Sequence, residues 1–156
     1  MSDTNAVLET SAPVTTGLRE FVVGRVGDIH VAVPSDRVET TVAASRGSEP
    51  PCDEPWVAGW FTHRDRLWLS VRLDGRAADC APGAKRLVMR ESDGVRFAIE
   101  LDEVYGPVVL DAVANVPYPA ERWSAPTEWL KVGFAHDGRP VCCVDVDEVM
   151  KSVVAG

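Results

Sequence analysis

The chain has 156 residues, 46% of them apolar, and 16 basic against 24 acidic side chains give it a formal charge of −8. That size suits one compact domain, or two small β units sharing a core. The acidic balance argues against nucleic acid and anionic membrane as partners, because both require a basic face that displaces counterions.

Met1 to Gly17 is rich in Ser, Thr, Asn and Ala, lacks the regions of a signal peptide, and reads as a disordered tail before a single domain over 18–156. No apolar run is long enough to cross a bilayer, so a cytoplasmic location without membrane insertion is expected. From Leu18 onward the pattern is that of strands. Ile29, Val31 and Val33 alternate with His30, Ala32 and Pro34, and Gly27-Asp28 supplies the hairpin turn. Pro34 to Arg37 breaks the strand, and Val38 to Val42 restarts one, with Val38, Thr40 and Val42 expected on a shared face. A Gly- and Pro-rich loop, 43–55, leads to a second hairpin: Gly59 to His63, a polar corner Arg64-Asp65-Arg66, then Leu67, Leu69 and Val71. Arg64 stands at its tip. Trp68 projects opposite the leucines, where it either packs between the two units or anchors an interface.

A connector, 74–84, precedes a second unit. Its hairpin turns at Asp93-Gly94 with Val95, Phe97 and Ile99 facing inward, and 107–110 forms a third strand. Pro117, Pro119 and Pro126 make 111–127 an extended surface loop. After a final hairpin, Asp145 to Glu148 has capping-box spacing, and Val146, Val149, Met150 and Val153 fall at i, i+3, i+4 and i+7. A short amphipathic helix over about 146–154 is expected.

The two units echo each other. Trp56 to Val71 matches Trp129 to Val144 at a constant offset of 129 − 56 = 73, and the Phe21 hairpin matches the Leu87 hairpin at 87 − 21 = 66. Two copies of one small β unit, about 18–75 and 85–145, are the simplest reading. Catalytic and metal-binding patterns are lacking. Cys52, Cys80, Cys142 and Cys143 show neither Cys-x-x-Cys nor zinc-ligand spacing, and His30, His63 and His136 have no nucleophile at a recognisable distance. Neither a cofactor nor a metal is expected.

The order of features resembles the CheW family of chemotaxis adaptors over roughly Leu18 to Val153. The resemblance rests on Glu20-Phe21-Val22-Val23, on Gly59 to Asp65 followed by Leu69 to Leu73, and on Thr127-Glu128-Trp129-Leu130 leading through Asp137-Gly138 into the terminal helix. It implies a mainly β fold of two intertwined SH3-like five-stranded barrels with a C-terminal helix. It also implies a non-enzymatic scaffold joining the cytoplasmic hairpin tip of a chemoreceptor to the regulatory domain of a CheA-type histidine kinase. The receptor-facing positions it carries over are Val38, Thr40, Gly59, Thr62 and Arg64. The chain departs from the family pattern at Thr62, Asp65, Leu69 and Arg72, which stand where the family has Asn, Gly, Pro and Asp. A divergent module of twitching motility or another chemosensory pathway, or a small-ligand β-barrel with its pocket between the units, are the other readings the sequence allows.

Overall fold

The computed structural model describes residues 19–44, 54, 56–73, 83–110, 126–136 and 139–155. The expected tail, the proline-rich loop up to residue 125, most of the 74–84 connector and the Asp137-Gly138 turn lie outside them. The strands are β1 (Arg19–Val26), β2 (Ile29–Pro34), β3 (Val38–Ala43), β4 (Val57–His63), β5 (Arg66–Arg72), β6 (Lys85–Met89), β7 (Phe97–Leu101), β8 (Glu103–Leu110), β9 (Leu130–His136) and β10 (Arg139–Val144), followed by α1 (Val146–Ala155). They form two five-stranded sheets, ordered β8-β1-β2-β10-β9 and β3-β6-β7-β5-β4.

Neither sheet belongs to one half of the sequence, which corrects the division at 18–75 and 85–145. Each sheet takes a hairpin from one copy of the repeat, β1-β2 or β6-β7, and three strands from the other copy. Equivalent strands occupy equivalent places, and the one parallel contact in each sheet, β2 with β10 and β7 with β5, also corresponds. The repeats are therefore units of sequence that have exchanged strands.

The offset of 73 holds at the level of hydrogen bonds. Arg72 N donates to Trp56 O at 2.8 Å and Asp145 N to Trp129 O at 2.7 Å. His63 pairs with Arg66 as His136 pairs with Arg139. The offset of 66 needs a correction in the first strand. Phe21 belongs to the inner cluster of its sheet, whereas Leu87 lies in the core between the sheets, so the equivalent of Leu87 is Val22, at 87 − 22 = 65. The second strand keeps 66, through Val31/Phe97, Ala32/Ala98 and Val33/Ile99. The additional residue sits in the longer β6-β7 turn, and because side chains alternate, one residue of slip exchanges the two faces.

The main core lies between the sheets and includes Val26, Val31 and Val33 from one with Val71, Leu87 and Ile99 from the other. At its centre the repeat-related Trp56 and Trp129 meet edge to face, 5.1 Å between centroids at 73°, a geometry worth about 0.5–1.5 kcal/mol beyond burial. Trp129 is wholly buried, and its indole N–H donates to Ser152 Oγ at 2.9 Å, which ties α1 to this centre. The helix begins as the capping pattern predicts, with Glu148 N donating to Asp145 Oδ1 at 3.3 Å. Cys142 is buried and Cys143 half-buried, and burial pushes the Cys142 thiol pKa up.

Candidate functional site

β3 and β4 are the end strands of the second sheet, yet side chains join them. Arg64 Nη1 lies 3.0 Å from Glu39 Oε2, and His63 Nε2 lies 3.9 Å from the same oxygen. The sheet thus curls until its β3 edge meets the β4-β5 tip. Glu39 reaches this position through a β-bulge: Val38 pairs with Met89 and Thr40 with Val88, leaving Glu39 as the additional residue. A bulge of this kind re-aims one side chain and sharpens the local twist. It also overturns the expectation of a shared face, since Val38 packs on the core between the sheets while Val42 packs on the inner cluster of the second sheet.

The tip is a two-residue turn between the paired His63 and Arg66, with φ of 52° at Arg64 and 62° at Asp65. Positive φ at both central positions matches the right-handed twist of the flanking strands. Asp tolerates this conformation. Arg does so at a cost of about 1–2 kcal/mol, so the chain holds a cation in an unfavourable backbone state at an exposed corner. The Arg64 side chain is 73% exposed.

Of the residues singled out from the sequence, Thr62 and Arg64 are exposed at the tip, Val38 and Thr40 are half-buried on the facing strand, and Gly59 is buried with φ of 136°. Four of the five therefore gather at or beside one corner, and Gly59 shapes the strand leading to it. Trp68 packs between the two sequence units, against Val88 and Ala98 of the second, although all three lie in one sheet because the units exchange strands. It is 4% exposed, its indole N–H donating to His63 O at 3.0 Å. It offers a partner no surface and does not bridge the sheets; it props the hairpin from beneath. The sequence reading missed Glu39 and His63 as site residues, although Glu39 stands between Val38 and Thr40 and His63 between Thr62 and Arg64, all four of which it named.

The far face of the same hairpin borders a shallow groove of about 380 Å³, lined by Trp56, Trp60, Leu67, Val95, Val153 and Val154 among others. Leu67 and Val154 are 53% and 67% exposed. Among the described residues no group of three His, Cys, Asp or Glu side chains is placed to hold a metal, and no helix is long and apolar enough to cross a membrane. A clamped cation and an apolar groove are means of recognition.

The comparisons with known proteins agree with this geometry. The family model for the CheW-like domain matches residues 20–154. The chain belongs to the CheW-like domain family. A structure of the scaffolding protein TtCheW from Thermoanaerobacter tengcongensis superposes with a TM-score of 0.68 at 12% identity, covering 85% of this chain and 87% of that one. No curated relative matches the sequence at a significant level. CheW-like domains are non-enzymatic scaffolds of chemotaxis signalling. Two departures from the family pattern have a local explanation in this CheW-like chain: Asp65 takes the positive φ otherwise given to Gly, and Arg72 is neutralised by Asp102, which accepts from it at 2.8 and 3.0 Å.

Proposed function

We propose that this chain couples the cytoplasmic hairpin tip of a chemoreceptor to the regulatory domain of a CheA-type histidine kinase, at receptor arrays on the cytoplasmic side of the membrane. The observation that supports the receptor contact is the corner where Arg64, held by Glu39, projects beside Thr62 above Val38 and Thr40. An arginine presents a planar fork that grips a carboxylate or amide bidentately, and arginines are frequent interface anchors. The open edges of the second sheet leave backbone groups for a partner, so apolar strand faces provide affinity and Arg64 sets the register.

The test is Arg64→Glu. Reversing the charge sets two carboxylates together at the corner and removes the fork, so affinity for a receptor hairpin fragment falls by about tenfold or more, while kinase binding and melting temperature stay near those of the parent. Unaltered receptor affinity in calorimetric titration refutes this assignment.

A further inference from the structure

The first sheet carries its own version of this corner, built from different side chains. β8 has the same bulge as β3: Val23 pairs with Gly106 and Gly24 with Val104, so the additional residue is Tyr105, the repeat equivalent of Glu39 at 105 − 39 = 66. Tyr105 is 49% exposed, stacks on His30 with centroids 5.9 Å apart at 23°, and donates its hydroxyl to Glu103 Oε1 at 3.0 Å. Arg139, exposed at the start of β10, has its Nη1 3.2 Å from His30 Nε2. A guanidinium only donates, so Nε2 is the acceptor and the imidazole is neutral, with its proton on Nδ1.

The charges around His30 come from three neighbouring strands: Arg25 on β1, Glu103 with Tyr105 on β8, and Arg139 on β10. Glu103 accepts from Arg25 Nε at 3.2 Å, and Arg25 Nη1 also donates to Gly27 O at 2.6 Å. Arg139 instead meets an uncharged ring. The corner therefore displays a cation on a chain of net charge −8. Burial together with the Arg139 and Arg25 charges holds the His30 pKa below its usual value. Beside it the edge strand β8, which among the described residues pairs with β1 alone, exposes Tyr105, Pro107 and Val109 in alternation.

We propose that this corner of the first sheet docks an extended acidic segment of a partner protein, with a carboxylate on Arg139 and the segment's apolar side chains along Tyr105, Pro107 and Val109. An edge strand with an apolar row beside a cation fits a chain that alternates carboxylate and apolar side chains and lies along it, side chain against side chain. This reading is independent of the Arg64 corner, which lies on the other sheet.

One consequence separates it from a merely structural role. A carboxylate on Arg139 neutralises a charge that opposes protonation of His30, so binding raises the His30 pKa, and by linkage the segment binds more tightly as pH falls through the His30 range. The test is an NMR pH titration of the His30 ring, assigned with His30→Gln, using the full chain and an acetylated, amidated peptide of alternating Glu and Val. The expected result is a His30 midpoint raised by about half a unit or more, no change with the Lys-for-Glu peptide, and binding weakened about fivefold or more in Arg139→Gln and in Tyr105→Ser. Both side chains are exposed, so both variants fold. An unmoved midpoint, an equal rise with acetate at the same carboxylate concentration, or full affinity in either variant overturns the proposal.

Discussion

Replacing Asp102 by Asn tests the join between the two sheets. Asp102 stands at the β7-β8 corner with its side chain 8% exposed, and it faces the Arg72 guanidinium of β5, 2% exposed. Arg72 donates to Asp102 Oδ1 at 2.8 Å and to Oδ2 at 3.0 Å, and the N–H of Gly27, in the β1-β2 turn of the opposite sheet, donates to Oδ2 at 2.7 Å. Asn keeps the shape and removes the charge. Removing the charge that faces a buried guanidinium costs up to about 3–5 kcal/mol, a large part of the roughly 5–15 kcal/mol that holds a domain together, and lowers the melting temperature by about 10 °C.

The acid side of the same experiment has a definite sign. Burial alone would raise the Asp102 pKa, but the Arg72 and Gly27 hydrogen bonds and the Arg72 and Arg25 charges together outweigh it and hold it below the usual 3.8. The folded state therefore binds this proton less readily than the unfolded state does. The stabilisation is complete above the ordinary carboxylate value and is lost as pH falls through the lower folded one. Urea unfolding at neutral pH and through the acid range should show the parent losing this increment and Asp102→Asn lacking it at every pH. Replacing the pair by Met at 72 and Leu at 102 should recover most of the loss, because the desolvation cost of both ions disappears. A loss below about 1 kcal/mol for Asp102→Asn, or an acid dependence identical to the parent's, refutes the reasoning.

Trp68→Ala should cost about 3–5 kcal/mol in denaturant unfolding without altering partner affinity in the folded fraction; a selective loss of binding would restore Trp68 to the interface. Gly24→Ala places a Cβ 2.5 Å from Glu103 O and 2.7 Å from Leu101 Cδ1, forcing β1 away from β8, with an expected loss of about 1–3 kcal/mol by thermal unfolding. Arg64→Gly relieves about 1–2 kcal/mol of left-handed strain. It gives back about 0.5–1 kcal/mol in unfolded-chain entropy and up to about 1 kcal/mol for an exposed ion pair. Its melting temperature should therefore stay close to the parent's while receptor affinity drops, and a large destabilisation would mean the strain is absent.

Strands and hairpins were legible because their signals are local: alternation in Ile29 to Val33, Gly27-Asp28 and Asp93-Gly94 at turns, and the cap at Asp145. Repetition was legible because both copies keep the Trp-to-Val spacing. Strand exchange was not, since which β1-β2 hairpin joins which β8, β9 and β10 is a matter of long-range pairing that no local pattern encodes. The bulges escaped for a related reason: inserting Glu39 into β3 changes the side-chain alternation without any glycine or proline to mark it. Arg72 looked like a loss when set beside the family pattern, because its partner Asp102 lies 30 residues away.

The pseudo-symmetry also bears on what an adaptor must do. Interior positions related by the repeat are alike: Trp56 with Trp129, Ala32 with Ala98, Val33 with Ile99. Both copies keep the bulge at one place in the edge strand, yet its occupant differs, Glu39 clamping Arg64 in one sheet and Tyr105 stacking on His30 beside Arg139 in the other. A repeat that is alike inside, and unlike at the two corners the bulges present, yields one fold with two different faces. A single symmetric surface would recruit two copies of the same partner. Two dissimilar corners on opposite sheets favour two dissimilar partners, as the coupling proposed above requires.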